Sequence, residues 1–187
     1  MATITAPMTT ADLLALPDDG TERWLIAGEL RERPMTRRNK YHSRTTTRVA
    51  YLLEAWLVGQ PEPRGWVLTG EAGLILRRDP DSTVGVDVAY VGPEVIGRQD
   101  ETSSLIEGPP ILAVEILSPG DTVEDVHEKV GEYLRCGVAL VWILNPYDRT
   151  VKVHRPGAEP ELFNARQDIS AEPHLPGFRV AVARLFD

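Results

Sequence analysis

The 187-residue sequence predicts an α/β protein with a mixed central β-sheet flanked by α-helices on both sides. Two observations carry this prediction. Residues 111–117 and 139–144 are almost continuously apolar, which is typical of strands covered on both faces. A helical pattern from about Thr122 to Cys136 lies between them, so the three segments form a β-α-β unit.

The segments before this unit predict two helices and a hairpin. A short first helix is expected to end before Pro17. Residues 24–26 and 29–33 predict the two strands of a hairpin. A longer helical pattern spans residues 40–58, and His42 lies within its apolar face. Further strands are expected at residues 66–69, 73–77, 84–91 and 150–155, with short strands in the C-terminal tail.

The composition is that of an ordinary globular protein, and we expect residues 1–187 to form one domain. No apolar stretch approaches the roughly 20 residues of a membrane span. The N-terminus has no basic segment before an apolar core, so we expect neither a membrane partner nor a secretory signal. Cys136 is the one cysteine, which excludes an internal disulfide and favours a cytoplasmic location.

The net charge of −8 argues against a protein that coats nucleic acid through a wide basic surface. It leaves open an enzyme that touches nucleic acid at a local basic patch. Residues 37–44 are the candidate patch, since they include Arg37, Arg38, Lys40 and Arg44. A solvated loop followed by the first turns of a helix is the alternative interpretation.

Two carboxylates interrupt strands that are otherwise apolar. Asp87 lies within residues 84–91, and Glu115 lies within residues 111–117. A buried carboxylate costs several kcal/mol unless a cation compensates it. Two such acids in adjacent strands indicate a shared cation, and hard oxygen ligands favour Mg²⁺ or Mn²⁺. The alternative is that both side chains are solvated at the edge of the sheet.

The helix that follows Glu115 supplies further candidates. Its apolar stripe consists of Val123, Val126, Val130, Tyr133 and Leu134. Lys129 lies about 90° to one side of this stripe, where a long side chain can bury its stem and reach sideways. Asp125 lies further out on the same helix. Periodicity alone does not distinguish Lys129 from an ordinary solvated lysine.

An ordered set of short motifs runs through the middle of the chain. Its members are residues 85–91 with Asp87, residues 112–119 with Glu115, and then Asp125, Lys129, Tyr133, Gly137, Trp142 and Asn145-Pro146. This set resembles the Uma2 (DUF820) family, which belongs to the restriction-endonuclease-like PD-(D/E)XK class. The similarity extends upstream through residues 28–30 and His42, so it covers most of the chain. It implies a restriction-endonuclease-like fold.

The resemblance also implies where the lysine of the site lies. In the wider class this lysine follows the second acid by two residues, and that position is Leu117 here. The Uma2 resemblance implies that the lysine has moved to the following helix, where Lys129 is the matching residue. The sequence departs from the family at Val86, where proline is common.

The residues and the resemblance together predict a metal-dependent endonuclease that hydrolyses phosphodiester bonds of nucleic acid, DNA above all. Asp87 and Glu115 would bind Mg²⁺ or Mn²⁺, with the carbonyl of Ile116 as a third ligand. Lys129 would orient the attacking water or neutralise the developing charge. Exposed apolar edges and the family resemblance favour a homodimer.

Two residues are second-rank candidates, His42 and Asp125. His42 either contacts the water on the metal or a phosphate, or it is a hydrogen-bonded core histidine. The competing hypothesis for the whole protein is a nuclease-like scaffold without activity that serves as a binding or dimerisation module. The acidic surface favours that hypothesis, and the presence of Asp87, Glu115 and Lys129 argues against it.

Other hydrolytic and nucleotide-binding chemistries fit the sequence less well. Ser118 lies outside any G-x-S-x-G elbow. The four histidines show no close zinc-ligand spacing, and glycine-rich phosphate loops are absent from the sequence.

Overall fold

The computed structural model describes residues 6–35, 39–100 and 102–187. The helices are α1 (Thr10–Leu14), α2 (Lys40–Leu57), α3 (Pro93–Ile96) and α4 (Val123–Arg135), with a 3₁₀ turn at Val182–Leu185. The strands are β1 (Thr21–Ile26), β2 (Glu29–Pro34), β3 (Trp66–Arg77), β4 (Ser82–Val91), β5 (Ile106–Glu107), β6 (Leu112–Ile116), β7 (Leu140–Asn145), β8 (Thr150–His154), β9 (Glu161–Asn164), β10 (Asp168–Ser170) and β11 (Arg179–Ala181). Within these ranges no helix is long and apolar enough to cross a membrane.

A mixed sheet forms the centre of the fold, as the sequence predicts. Its strand order is β2-β1-β4-β6-β7-β8-β9, with β3 paired to β4 and β5 paired to β3. Strands β6 and β7 are parallel and are joined through α4, so the predicted β-α-β unit is confirmed. Strands β10 and β11 pair separately.

Apolar side chains cover both faces of this sheet. Val88 and Val114 pack in one cluster with residues of α2, while Ala89 and Ala113 pack in a second cluster with residues of α4. Adjacent residues of a strand point to opposite faces, which explains the division. Strands covered on both sides are expected to be apolar throughout, and β6 and β7 are.

Along one of its two edges, strand β4 pairs first with β1 and then with β6, and the site lies at this change of partner. Strand β3 pairs along the opposite edge of β4, with an interruption at Asp87. On the edge in question, β6 pairs with residues 88–90, whereas β1 pairs only at Thr83. The sheet therefore forks beside Asp87. Continuing the β6 register by one residue would place Asp87 opposite Glu115.

The structure departs from the sequence predictions in two elements. The predicted strands 66–69 and 73–77 form one strand, β3, with an irregularity where Gly70 and Glu71 have φ values of 84° and 59°. Extra residues of this kind let a strand bulge without ending. Val123 is 81% exposed instead of lying on the buried stripe. It is the first residue of α4, whose buried residues all lie in the second half of the helix.

Glu132 is a fully buried acid on α4 that the sequence did not indicate. It accepts hydrogen bonds from the Ser82 hydroxyl, from Arg77 at 3.2 Å and from Arg135 at 2.7 Å. Because a buried carboxylate must be paired, this network ties α4 to the start of β4. Cys136 is half-buried, and its Sγ lies 3.5 Å from Glu132 Oε1.

Candidate active site

The carboxylate of Asp87 occupies the fork in the sheet. Its Oδ2 accepts a hydrogen bond from the backbone N–H of Ile116 at 2.7 Å. Its Oδ1 lies 3.0 Å from Nε2 of His42, and both side chains are almost fully buried. The N–H of Ile116 on β6 lies beyond the backbone pairing of β4 with β6. The Asp87 side chain supplies its hydrogen-bond acceptor instead.

These contacts keep Asp87 charged. Burial acting alone would raise the pKa of its carboxyl group. The hydrogen bond from His42, the N–H of Ile116 and the positive charge of Lys129 outweigh burial, and they hold the pKa below its ordinary value. Since an ionised carboxylate can only accept, we assign the proton of the pair to Nε2 of His42.

Glu115 receives two donors from α4. The Nζ of Lys129 lies 2.8 Å from its Oε1, and the hydroxyl of Tyr133 donates to the same oxygen at 2.5 Å. Lys129 and Tyr133 are four residues apart, so they project from the same side of the helix. Helix α4 thus brings the Lys129 ammonium to the Glu115 carboxylate. Throughout the described ranges, no hydrogen bond or ion pair reaches the second oxygen, Oε2.

The two acids of the site have opposite pKa shifts. Burial above all, and also the charge of Asp87, raises the pKa of Glu115, although Lys129 and Tyr133 oppose this shift. Burial and the adjacent Glu115 raise the pKa of Tyr133 well above its ordinary value, so its hydroxyl remains a donor. Neighbouring carboxylates whose pKa values are driven apart are common at functional sites.

A cavity of about 40 Å³ opens beside the two carboxylates. It exceeds the roughly 10–15 Å³ that one water molecule needs. Five of the six residues predicted for the site line it: Asp87, Glu115, Ile116, Asp125 and Lys129. His42 is the sixth. It lies behind Asp87, only 4% exposed, and its position matches the hydrogen-bonded core histidine rather than a group that faces a phosphate.

The cavity has other polar walls that the sequence did not single out. Arg33 lines it and binds Glu22 at 2.9 Å and Asp121 at 2.7 Å. Glu71 also lines it, because the irregularity in β3 directs this residue inward. In the sequence, the signal for this irregularity is Gly70, because a glycine inside a strand often marks a bulge. Tyr133 was assigned to the apolar stripe, and periodicity could not show that its hydroxyl reaches Glu115.

The oxygen donors suit a hard cation that keeps much of its hydration. No cluster of three His, Cys, Asp or Glu side chains able to hold a metal occurs among the described residues. Mg²⁺ commonly uses only one or two carboxylates together with waters and substrate phosphates. Each oxygen of Asp87 accepts one of the hydrogen bonds given above and keeps a further lone pair. The donor set therefore fits Mg²⁺ or Mn²⁺.

Part of the predicted basic patch falls outside the described residues, namely Arg37 and Arg38. In the part that is described, the ammonium of Lys40 lies 5.0 Å from the centre of the Tyr41 ring. His42, which the same stretch contains, is buried.

Comparison with known families matches residues 10–183 to the model of Uma2, described as "Putative restriction endonuclease". The chain belongs to the Uma2 family. Its fold is similar to that of a protein from Anabaena variabilis ATCC 29413 described as "a putative nuclease belonging to DUF820". The TM-score is 0.78 at 21% identity, covering 96% of this chain and 98% of that one. No curated protein gives a significant match to this Uma2 chain.

Proposed function

We propose that this Uma2 protein is a divalent-metal-dependent endonuclease that hydrolyses phosphodiester bonds of nucleic acid, DNA above all. The single observation that supports this most is the convergence of Asp87, Glu115 and Lys129 on one cavity, although they come from two strands and a helix. We further propose that residues 1–187 form one nuclease domain.

Asp87 and Glu115 are the proposed ligands of Mg²⁺ or Mn²⁺, with the carbonyl oxygen of Ile116 as the third. A bound ion of this kind supplies charge neutralisation at the phosphoryl oxygens and acidifies a water molecule. Support comes from the electrostatics of the pair: the charge of Asp87 raises the pKa of Glu115, and a shared cation would relieve that repulsion.

The remaining residues prepare the site for the phosphate. His42 and the N–H of Ile116 hold the Asp87 carboxylate in one orientation. Lys129 places a positive charge at the wall of the cavity, where it would orient the attacking water or stabilise charge on the phosphoryl oxygens. Asp125 is exposed on the same wall and remains a second-rank candidate for accepting a proton.

A catalytically silent scaffold is the second candidate function. The observation that favours it is electrostatic: within the described residues, Arg33 and Lys129 are the cations that line the cavity, and both are engaged by carboxylates. A net charge of −8 points the same way.

A cleavage assay decides between the two candidates. Supercoiled plasmid, single-stranded DNA and RNA would be incubated with the protein and Mg²⁺ or Mn²⁺. We expect metal-dependent cleavage that Asp87→Asn abolishes. The matched control is Asp168→Asn, which makes the same change at an exposed residue of β10, and it should cut normally. Absence of cleavage in every arm would favour the silent scaffold.

Two further properties belong to the proposal. We propose a homodimer, supported by exposed apolar side chains such as Val58 and Trp66 near the start of β3. We also propose a cytoplasmic location, which the single half-buried cysteine supports.

A further inference from the structure

A second and larger cavity, of about 550 Å³, lies next to the candidate active site. It shares four lining residues with the smaller cavity: Glu22, Trp24, Glu71 and Lys129. The two cavities therefore adjoin each other. The volume falls within the roughly 300–1,000 Å³ of pockets that bind small organic groups. We call this larger cavity the side groove.

The walls of the side groove are largely apolar. Helix α1 contributes Leu13 and Leu14, and Leu16, Met35 and Leu105 add to the surface. Leu14 and Met35 are each 61% exposed, so a ligand that covered them would remove apolar surface from water.

Two glycines opposite each other on β3 and β4 shape the base of the side groove. Gly73 pairs with Gly85 across the strands, and both line the groove. A Cβ atom at Gly73 would lie 2.4 Å from Leu105, and one at Gly85 would lie 3.0 Å from the Glu71 carboxylate. The missing side chains thus let Leu105 and Glu71 lie against the sheet.

The described residues that line the two cavities offer no cation without a carboxylate partner to a DNA duplex. Duplexes are held mainly through contacts of cationic groups with phosphates. Along the described walls, each cation already has carboxylate partners: Arg23 has Asp19 and Glu32, Arg33 has Glu22 and Asp121, and Lys129 has Glu115. On these described walls, apolar and aromatic contacts are therefore the main source of affinity for a ligand of the side groove.

We propose that the side groove receives an unpaired nucleobase next to the phosphate to be cut, so that the preferred substrate is a single strand. This inference rests on the proposed nuclease function and names its substrate class. Trp24 lies where the two cavities meet and offers the aromatic surface on which bases stack without sequence preference. The guanidinium of Arg33 lies 5.6 Å from the centre of the Trp24 ring and helps to fix it.

The test measures binding separately from cleavage. The Asp87→Asn protein, which leaves the strand uncut, would be titrated in Mg²⁺ against fluorescein-labelled 12-nucleotide DNA. Three ligands are compared by fluorescence anisotropy: the single strand, its duplex, and single strands with one abasic position. We expect the single strand to bind about tenfold or more tightly than the duplex. At least one abasic position should weaken binding roughly fivefold or more, as expected for loss of one stacked base.

Paired variants locate the binding to the groove. The double variant Leu14→Ser/Met35→Ser removes exposed apolar surface from its wall. The matched control, Tyr51→Ser/Leu162→Ser, removes similar surface from residues that are 57% and 66% exposed and do not line the groove. The groove variant should lose the single-strand preference, and the control should keep it.

The outcomes separate this inference from the nuclease proposal. Equal affinity for duplex and single strand, or the same loss in both double variants, would overturn the inference. A protein that cuts duplex and single strand equally well keeps the nuclease function and overturns the inference. A protein that binds single strands through their bases but cuts nothing overturns the nuclease function, and with it the substrate assignment, and leaves only the binding of a base in the side groove.

Discussion

The ammonium of Lys129, carried by helix α4, lies 2.8 Å from Oε1 of Glu115 on strand β6. In the wider PD-(D/E)XK class the lysine stands two residues after the second acid, where this chain has Leu117. In this chain the lysine comes from a helix and the acid from a strand, whereas one strand carries both in the wider class. The proposed function gives this lysine an electrostatic task, and that task leads to the first prediction.

Lys129→Ala should reduce turnover far more than metal affinity. Removal of one electrostatic stabiliser typically costs about 10²-fold or more, some 2.7 kcal/mol of barrier. The measurements are single-turnover cleavage and Mn²⁺ titration on the same preparations. Lys152→Ala, an exposed lysine on β8, is the matched control and should behave as wild type. An equal loss of metal binding and turnover would show that Lys129 builds the site and does not act in the reaction.

Glu115→Gln should abolish activity and leave the metal-free protein as stable as wild type or more stable. Burial, together with the charge of Asp87, raises the pKa of Glu115 above its ordinary value against the opposing charge of Lys129. When folding raises the pKa of a carboxyl group, the protein becomes less stable as the pH rises above the pKa that this group has in the unfolded chain. The reason is that the folded state resists its ionisation. The advantage of the variant should therefore be present at pH 7 and shrink towards pH 4.

Thermal unfolding at both pH values checks this prediction. Added Mn²⁺ should raise the melting temperature of wild type but not that of Glu115→Gln. Glu161→Gln, which alters an exposed acid on β9, serves as the matched control. Marked destabilisation of the metal-free protein by Glu115→Gln would identify the Lys129 contact as a structural ion pair.

His42→Ala should weaken metal binding although the histidine does not line the cavity. The imidazole donates to Oδ1 of Asp87, and groups that orient a ligand typically contribute 10- to 100-fold in metal affinity or activity. Mn²⁺ titration should show a loss of about tenfold, and His42→Gln should recover part of it by restoring a donor. A lower melting temperature with unchanged metal affinity would reduce His42 to a core residue.

Cys136 should react slowly with alkylating reagents in the folded protein. Burial and the nearby Glu132 raise the pKa of its thiol to about 11. At pH 8 the thiolate fraction is then more than about 100-fold below that of a free cysteine. Iodoacetamide labelling followed by mass spectrometry checks the rate, and denatured protein provides the fast reference. Rapid labelling of the folded chain at pH 8 would contradict the described contact with Glu132.

The sequence predicted those parts of the site that break a strong pattern. Asp87 and Glu115 stood out because a carboxylate in a doubly covered strand needs a partner. Lys129 needed the family resemblance as well, because a lysine on a helix flank is ordinary. The β-α-β unit followed from two apolar runs with a helix between them.

Other parts depend on contacts between distant residues, which no local pattern contains. Glu132 lies on a helix rich in exposed acids, so only its contacts with Arg77 and Ser82 reveal that it is buried. The fork at β4 arises from the pairing of three strands with one. The side groove likewise depends on residues of α1 and β3, far apart in the sequence, that line one cavity.

Binding of Mn²⁺ in the absence of substrate tests the central claim, that Asp87 and Glu115 together hold a divalent cation. Isothermal titration calorimetry would be carried out on wild type, Asp87→Asn, Glu115→Gln and the exposed control Asp168→Asn. We predict one Mn²⁺ per chain for wild type and for the control, and affinity at least about tenfold lower for each of the two site variants. Equal Mn²⁺ affinity in all four proteins, or no binding to wild type, would contradict the account.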